Sequence, residues 1–355
     1  MDRHDIPGAT AKDVAKAHQQ DLSIQDDFDC RALTYWFDEE QGMAFCLIEA
    51  PDRQSVQDLH DYAHGLIPNE IIEVEPTVVE SFLGRINDPE VNQKQDLPVI
   101  NDPAFRSILF VQLDGGFIDS SNLQSPIFDN RFLAALRQKT EACNGLLVEA
   151  SQCCILSSFP SVDESLQCAV EILDEPEKSP FVRMGISAGV PVSGDGQFFQ
   201  KTVEHASSLT QCAKSGQVVL STKVSEMANT SRISSEKNGS IRSLSQQEDK
   251  FIKEVVRILE EFASYPSFGV SAFGSKMGMS KSKLYRQMTA LLGMSPNDFI
   301  KEFKLRKALQ LISEKRGSIS EVAFESGFNS LSYFSKCFQE RFDLLPSEFS
   351  NHAVQ

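Results

Sequence analysis

Two apolar runs, residues 32–37 and 43–48, flank the polar stretch Asp38-Glu-Glu-Gln-Gly42, which predicts two β-strands joined by a turn. Helical spacing precedes them over residues 9–22 and follows over 52–65, and residues 71–74 read as a closing strand. The order β-α-β-β-α-β is a ferredoxin-like plan. Its first strand has little more than residues 1–4 to draw on, so a nearly missing strand or a shortened sheet edge is expected. Strand patterns return at residues 106–114, 146–159, 182–190 and 216–221, interleaved with helical ones at 130–143, 162–173 and 201–214. The fold class that follows is multidomain α+β, with an α/β middle part and an all-α end.

The helical end contains one phrase written twice. Residues 270–278 and 319–327 each read as a short helix ending in glycine, after which Ser280 or Ser330 opens a second helix. Glycine suits the tight corner, and the serine hydroxyl satisfies the N–H groups that follow. Each copy is a helix-turn-helix. Between them Pro296 opens a run with Phe299, Ile300, Phe303, Leu305, Leu309 and Ile312, which predicts one long connecting helix. Polar stretches at 86–104 and 229–246 read as linkers, the second as a flexible hinge. They divide the chain into domains at residues 1–85, 105–228 and 247–355.

Charge sharpens this division. The formal net charge is −16, yet from Lys250 onward 15 Lys and Arg stand against 11 Asp and Glu, leaving 19 against 39 before it. A basic end on an acidic body suits phosphate contact at that end alone. The eight cysteines show no CxxC ladder, which predicts a reduced, mostly buried set. No apolar run approaches 20 residues, so a cytoplasmic chain without a membrane partner is expected.

The spacing Ile319…Val322-Ala323…Gly327-Phe328…Phe334…Phe338, closing on Leu345-Pro346…Phe349, resembles the DNA-binding domain of AraC/XylS-type transcription regulators. One departure is Asp343-Leu344, where that family commonly has Gly and a small polar residue; it touches a turn. The resemblance implies double-stranded promoter DNA as partner, RNA polymerase as a candidate contact, and a recognition helix in each of two successive major grooves. Outward positions of the first copy are Lys281, Ser282, Lys283, Tyr285 and Arg286, with Leu284 and Met288 turned inward. In the second copy Ser332, Tyr333, Ser335 and Lys336 take the equivalent places. Arg286 is the candidate for guanine.

Residues 1–8, 35–38 and 45–51, with His60…His64-Gly65, resemble a small family of ferredoxin-like domains described as nickel-binding. Four of the six histidines, His4, His18, His60 and His64, fall in the first 64 residues. His60 and His64 share a helix face at i and i+4 and can chelate one ion, and with Cys46 the set suits a divalent Ni, Zn or Cu. His18 is expected on its helix surface near Asp21. The alternative for each histidine is a partly buried residue with a backbone partner, and Cys46 also reads as core.

The middle domain, through residues 182–189 and 213–221, resembles the catalytic domain of class III nucleotide cyclases. Those enzymes hold two metals on aspartates, and here the matching positions are Gln112 and Gln152. The Asn and Arg that hold the transition state fall on Glu204 and Ser208, and Asp114 is displaced by two residues. A neutral amide is a poor ligand for Mg2+. The expectation is therefore no enzyme but a pseudo-cyclase that forms a homodimer or binds a small ligand. An active nucleotide cyclase fused to a DNA-binding domain is the alternative, and a plain scaffold is a third reading.

Overall fold

The structure is a computed structural model and describes residues 1–89, 99–113, 130–151, 154–174, 182–194, 196–228 and 239–352. Asp114 and Gln152, and parts of both expected linkers, lie outside the described residues.

Strands β1 (Asp2–Asp5), β2 (Arg31–Asp38), β3 (Met43–Glu49) and β4 (Glu70–Ile71) form an antiparallel sheet in the order β2-β3-β1-β4. Helices α1 (Ala11–Ile24) and α2 (Arg53–His64) cover one face. This is the ferredoxin-like order and direction of strands. The expectation of a nearly missing first strand is corrected: β1 is short but present inside the sheet, paired to β3 on one side and β4 on the other, and the shortened edge is β4. Four residues suffice because β4, the edge, has only two. Thr10 and Asp13 cap α1 reciprocally, and Gly65 closes α2 at φ 75°.

The other face of this sheet buries Trp36, Phe45 and Leu47 together with Val79, Phe82 and Leu83 of α3 (Pro76–Leu83). That core continues into Ile108 and Leu156 of a second sheet. The second sheet contains β5 (Arg106–Leu113), β6 (Leu146–Ala150), β7 (Cys154–Phe159), β8 (Val182–Gly189), β9 (Gln217–Leu220) and β10 (Ile241–Ser243), in the order β10-β9-β8-β5-β7-β6. Helices α4 (Asn130–Ala142) and α5 (Val162–Leu173) close on Leu109, Val111 and Ile155, while α6 (Gln200–Cys212) takes the opposite face. The alternation of Ile108 and Leu109 between the two faces is the strand period of two. A short α7 (Thr222–Met227) follows β9.

Both expected linkers are partly built into the fold. Ile100 N donates to the Tyr35 hydroxyl at 2.9 Å, Phe37 N donates to Asp102 O at 3.0 Å, and Arg85 Nε donates to Asp102 Oδ2 at 3.3 Å. Residues 239–246 are not a free hinge either. Ile241–Ser243 pairs in parallel with β9, and Ser245 caps α8 (Gln246–Phe262) reciprocally with Glu248. Two apolar residues in this polar stretch account for the difference, because Leu244 is buried and Ile241 packs on the sheet core.

Helix α8 packs Phe251, Val255 and Leu259 against Leu209, Ala213 and Val219, and the same core runs on to Phe273, Leu284 and Phe299. The remaining helices are α9 (Val270–Lys276), α10 (Lys281–Leu292), α11 (Pro296–Ser313), α12 (Ile319–Glu325), α13 (Leu331–Phe342) and α14 (Pro346–His352). Helix α11 is packed along most of its circumference, burying Glu302, Lys304 and Arg306 as well as its apolar residues, while Asn297, Asp298 and Gln310 stay exposed. Lys304 Nζ donates to Gly327 O at 2.8 Å, and Glu302 accepts from Arg306 Nε at 2.9 Å and Arg341 Nε at 2.8 Å. No helix among the described residues is long and apolar enough to cross a membrane.

The two corner glycines are not equivalent. Gly278 has φ 62° with nothing near a would-be Cβ, whereas at Gly327, φ 86°, that atom would stand 2.2 Å from Ala263 O at the end of α8. Gly278→Ala should cost about 1–2 kcal/mol through backbone conformation alone. Gly327→Ala should cost clearly more, read as the fall in urea midpoint. Equal losses would show that the contact with Ala263 carries no weight.

Candidate functional site

Helices α10 and α13 are matched. Ser280 Oγ accepts from Lys283 N at 3.3 Å, and Ser330 Oγ accepts from Tyr333 N at 3.4 Å. Leu284 and Met288 anchor the first helix, and Phe334 and Phe338 the second. The opposite faces are open: Lys281, Ser282, Lys283, Tyr285 and Arg286 are exposed, as are Ser332, Tyr333 and Lys336, while Ser335 is half-buried. Lys336 pairs with Glu340 at 3.8 Å. Among the described residues Lys281, Lys283 and Arg286 form no ion pair, so their charge faces outward. Asp343 closes α13 in the left-handed region at φ 58°, where its N–H reaches Gln339 O at 2.9 Å, so the departure from Gly leaves the turn intact.

A second cluster lies under α1 and α2. Asp2 pairs with Cys46 across the sheet, and His4, two residues along β1, shares their face. His60 descends from α2 so that Nε2 is 3.3 Å from Asp2 Oδ2, and its Nδ1 is 3.2 Å from Asp21 Oδ1 on α1. His4 Nε2 lies 3.2 Å from Asp2 Oδ1. One ligand atom from each of Asp2, His4, Cys46 and His60 falls within 4.8 Å of the others, all four residues buried. Asp21, His60 and His64 form an overlapping group. His64 Nδ1 accepts from Leu66 N at 3.1 Å, which leaves the proton on Nε2, facing Asp21 at 3.2 Å.

Thus His4, Cys46, His60 and His64 come together, and His18 does not join them. It is buried, not on the surface, with Nε2 3.0 Å from Asp88 and its ring against Tyr35. Asp2 and Asp21 are donors that the sequence reading missed. Asp2 could have been found, because it alternates with His4 on one strand. Asp21 was noted only as a neighbour of His18.

Two family models match the chain. Residues 1–74 match that of the nickel responsive protein SCO4226-like, and residues 274–352 match that of a helix-turn-helix domain. Residues 274–352 are an AraC-type helix-turn-helix domain. Among relatives, a histidine kinase P4 of Formosa agariphila is 34% identical over 108 residues, which is 30% of this chain and 8% of the kinase. The HTH-type transcriptional regulator MtrA of Neisseria gonorrhoeae is 30% identical over 77 residues, 22% of this chain and 26% of that protein. The HTH-type transcriptional regulator ExsA of Pseudomonas aeruginosa is 33% identical over 78 residues, 22% of this chain and 28% of that protein. The chain therefore spans only 8% to 28% of these relatives' own length. In the AraC-type domain α10 and α13 are the second helices of the two copies, and the SCO4226-like domain carries the buried cluster.

Electrostatics of that cluster are those of a site that holds positive charge. Burial by itself would raise the Asp2 carboxyl, but the bonds to His4 and His60 hold it far below the usual carboxylate range. Burial would likewise lower His60, yet Asp2 and Asp21 push it up to about 10. Burial, with Asp2 and Asp21 beside it, raises the Cys46 thiol well above its ordinary value. Asp2 Oδ1 is buried beside His4 Nε2 at 3.2 Å, without a well-aligned hydrogen bond. A carboxylate, two imidazoles and a sulfur gathered in one buried place suit a transition metal, and Asp21 on His60 Nδ1 is the outer partner such a ligand uses.

The signs set a pH dependence for metal-free protein. His60 stabilises the fold fully below the ordinary histidine value of about 6.5, and this is lost as pH rises through about 10. Asp2 and Asp21 are held low, so their contribution is present above the ordinary carboxylate range and fades on acidification. Thermal melts of wild type and His60→Gln should therefore converge as pH rises from neutral towards that upper value. Parallel alkaline profiles would show that the ion pairs of His60 add no stability.

Proposed function

We propose that this chain is a transcription regulator that binds double-stranded DNA through α10 and α13 and holds a divalent transition metal in its N-terminal domain. The observation that carries the reading is the pair of serine-capped helices on one largely buried shaft, α11, with exposed cationic and polar faces. Lys281, Lys283 and Lys336 supply phosphate contacts, and Arg286 suits the O6 and N7 edge of guanine. Ser282, Tyr285, Ser332, Tyr333 and Ser335 complete the two reading faces. Arg286→Ala should weaken binding by about 1–3 kcal/mol and relax preference at one base pair. Lys283→Gln should weaken all sequences alike and lower the salt slope by about one. Mobility shifts on a selected site decide this, and wild-type affinity in both variants would remove these faces from the interface.

Asp2, His4, Cys46 and His60 would hold the metal, with Asp21 orienting His60 and His64 against Asp21. A bound Ni, Zn or Cu ion would supply positive charge where metal-free protein keeps protons on His60 and Cys46. The residues around it then orient ligands and exclude water. Native mass spectrometry of the full chain after exposure to Ni, Zn and Cu should show one ion per chain. It should be lost in Cys46→Ser and His60→Gln and kept in His18→Gln. Retention in Cys46→Ser would move the site to Asp21, His60 and His64.

We read the middle domain as non-catalytic and as the seat of dimerisation, which the same spectra count directly. Gln112 supports this reading, since its Oε1 takes protein donors, 2.8 Å from Thr210 Oγ1 and 3.1 Å from Gln211 Nε2. Glu204 and Ser208 stand at two further cyclase positions, with the Ser208 hydroxyl bonded to Glu204 O at 2.7 Å. A metal that alters DNA affinity must bind one arrangement of the domains better than another, and the cores shared between domains offer the physical connection.

A further inference from the structure

A cleft of about 290 Å³ opens between the six-stranded sheet and the AraC-type domain, where β5 and α6 face α11. Its walls include Phe110, Gln112 and Gln211 on one side and Phe303, Arg306 and Lys307 on the other. Three of these side chains form a relay. Arg306 Nη1 donates to Gln211 Oε1 at 2.9 Å, and Gln211 Nε2 donates to Gln112 Oε1 at 3.1 Å. The relay fixes the Gln112 amide, whose Oε1 is taken and whose NH2 group has no acceptor among the described residues. The Lys307 ammonium likewise has no acceptor among the described residues. Both residues are half-exposed, so water serves these donors in the open cleft, and an acceptor-rich guest would take its place.

The electrostatics agree with the geometry. Among the described lining residues Glu260 is the one carboxylate; partial desolvation of the carboxyl, then Glu204 nearby, raises its pKa, although the residue as a whole is exposed at the rim. Phe110 and Phe303 add apolar walls for the body of a guest, and the volume stands at the small end of ligand sites.

We propose that this cleft binds a small organic anion, a phosphate or carboxylate on a compact body, with Lys307 and the Gln112 amide on the anionic group. Such a guest bridges the sheet to the helix that carries both recognition helices, at a place separate from the metal cluster. Arg306 acts as a positioning residue through Gln211.

The test is calorimetric titration of full-length, metal-free protein with AMP, glycerol 3-phosphate and citrate at millimolar concentration. At least one anion should bind once per chain. Lys307→Gln, a half-exposed position where misfolding is not expected, should weaken that binding about tenfold, the scale of one charge-assisted hydrogen bond. Gln112→Leu should weaken it as well, while Lys281→Gln on α10 should leave it unchanged. Absence of binding by all three anions overturns the proposal. So does binding that ignores Lys307→Gln or disappears in Lys281→Gln, which would assign the anion to the DNA-reading surface. None of these outcomes depends on the metal.

Discussion

Glu302 is a buried carboxylate halfway along α11, and the placing of the whole DNA-reading end turns on it. Arg306 reaches it from the same helix, Arg341 from α13, and Arg183 approaches within 3.7 Å from β8 of the middle sheet. One side chain thereby joins the connecting helix, the second recognition helix and the neighbouring domain. Ion pairs of this kind add little net stability over an apolar packing, but loss of one partner leaves charge stranded and costs about 3–5 kcal/mol. Their value lies in geometry. Apolar contacts between α8 and α6 would tolerate sliding, whereas guanidinium forks on a carboxylate accept few arrangements.

Around that node the domains are continuous rather than strung together. Trp36 and Phe45 of the first sheet share a core with Ile108 and Leu156 of the second, and Leu209 and Val219 share another with Val255 and Phe273. Each shared core ties one pair of neighbouring domains, and α6 takes part in both, with Ala206 in the first and Leu209 in the second. Close-packed interiors transmit strain because they have little free volume to absorb it.

What could be read from the sequence was what depends on near neighbours in the chain. Ser280 and Ser330 announce helices because the groups they cap lie three residues on, and the strand pair at residues 31–49 shows in its own alternation. Of the buried cluster, His4, Cys46, His60 and His64 were singled out in the sequence, the last two because they share one helix face, whereas Asp2 and Asp21 were not. The rest was set by partners far along the chain. His18 is buried because Asp88 meets it, 70 residues away, and Asp21 matters because α2 lies across α1. The stretch before α8 looked like a tether because its composition is polar, and only the open edge of β9 gives Ile241 and Leu244 a place to go.

The tight packing of α11 has a metrical consequence. A helix of 18 residues is a rod of about 27 Å, and one held by buried apolar and ionic contacts along its length has little freedom to bend or lengthen to suit its target. On the proposed reading the protein acts as a ruler with two fixed marks. Any mismatch in distance or rotational phase between two half-sites then falls on the duplex, which is stiff over so short a length. Selectivity would reside partly in how readily a given stretch of DNA twists to meet those marks, at base pairs that no side chain touches.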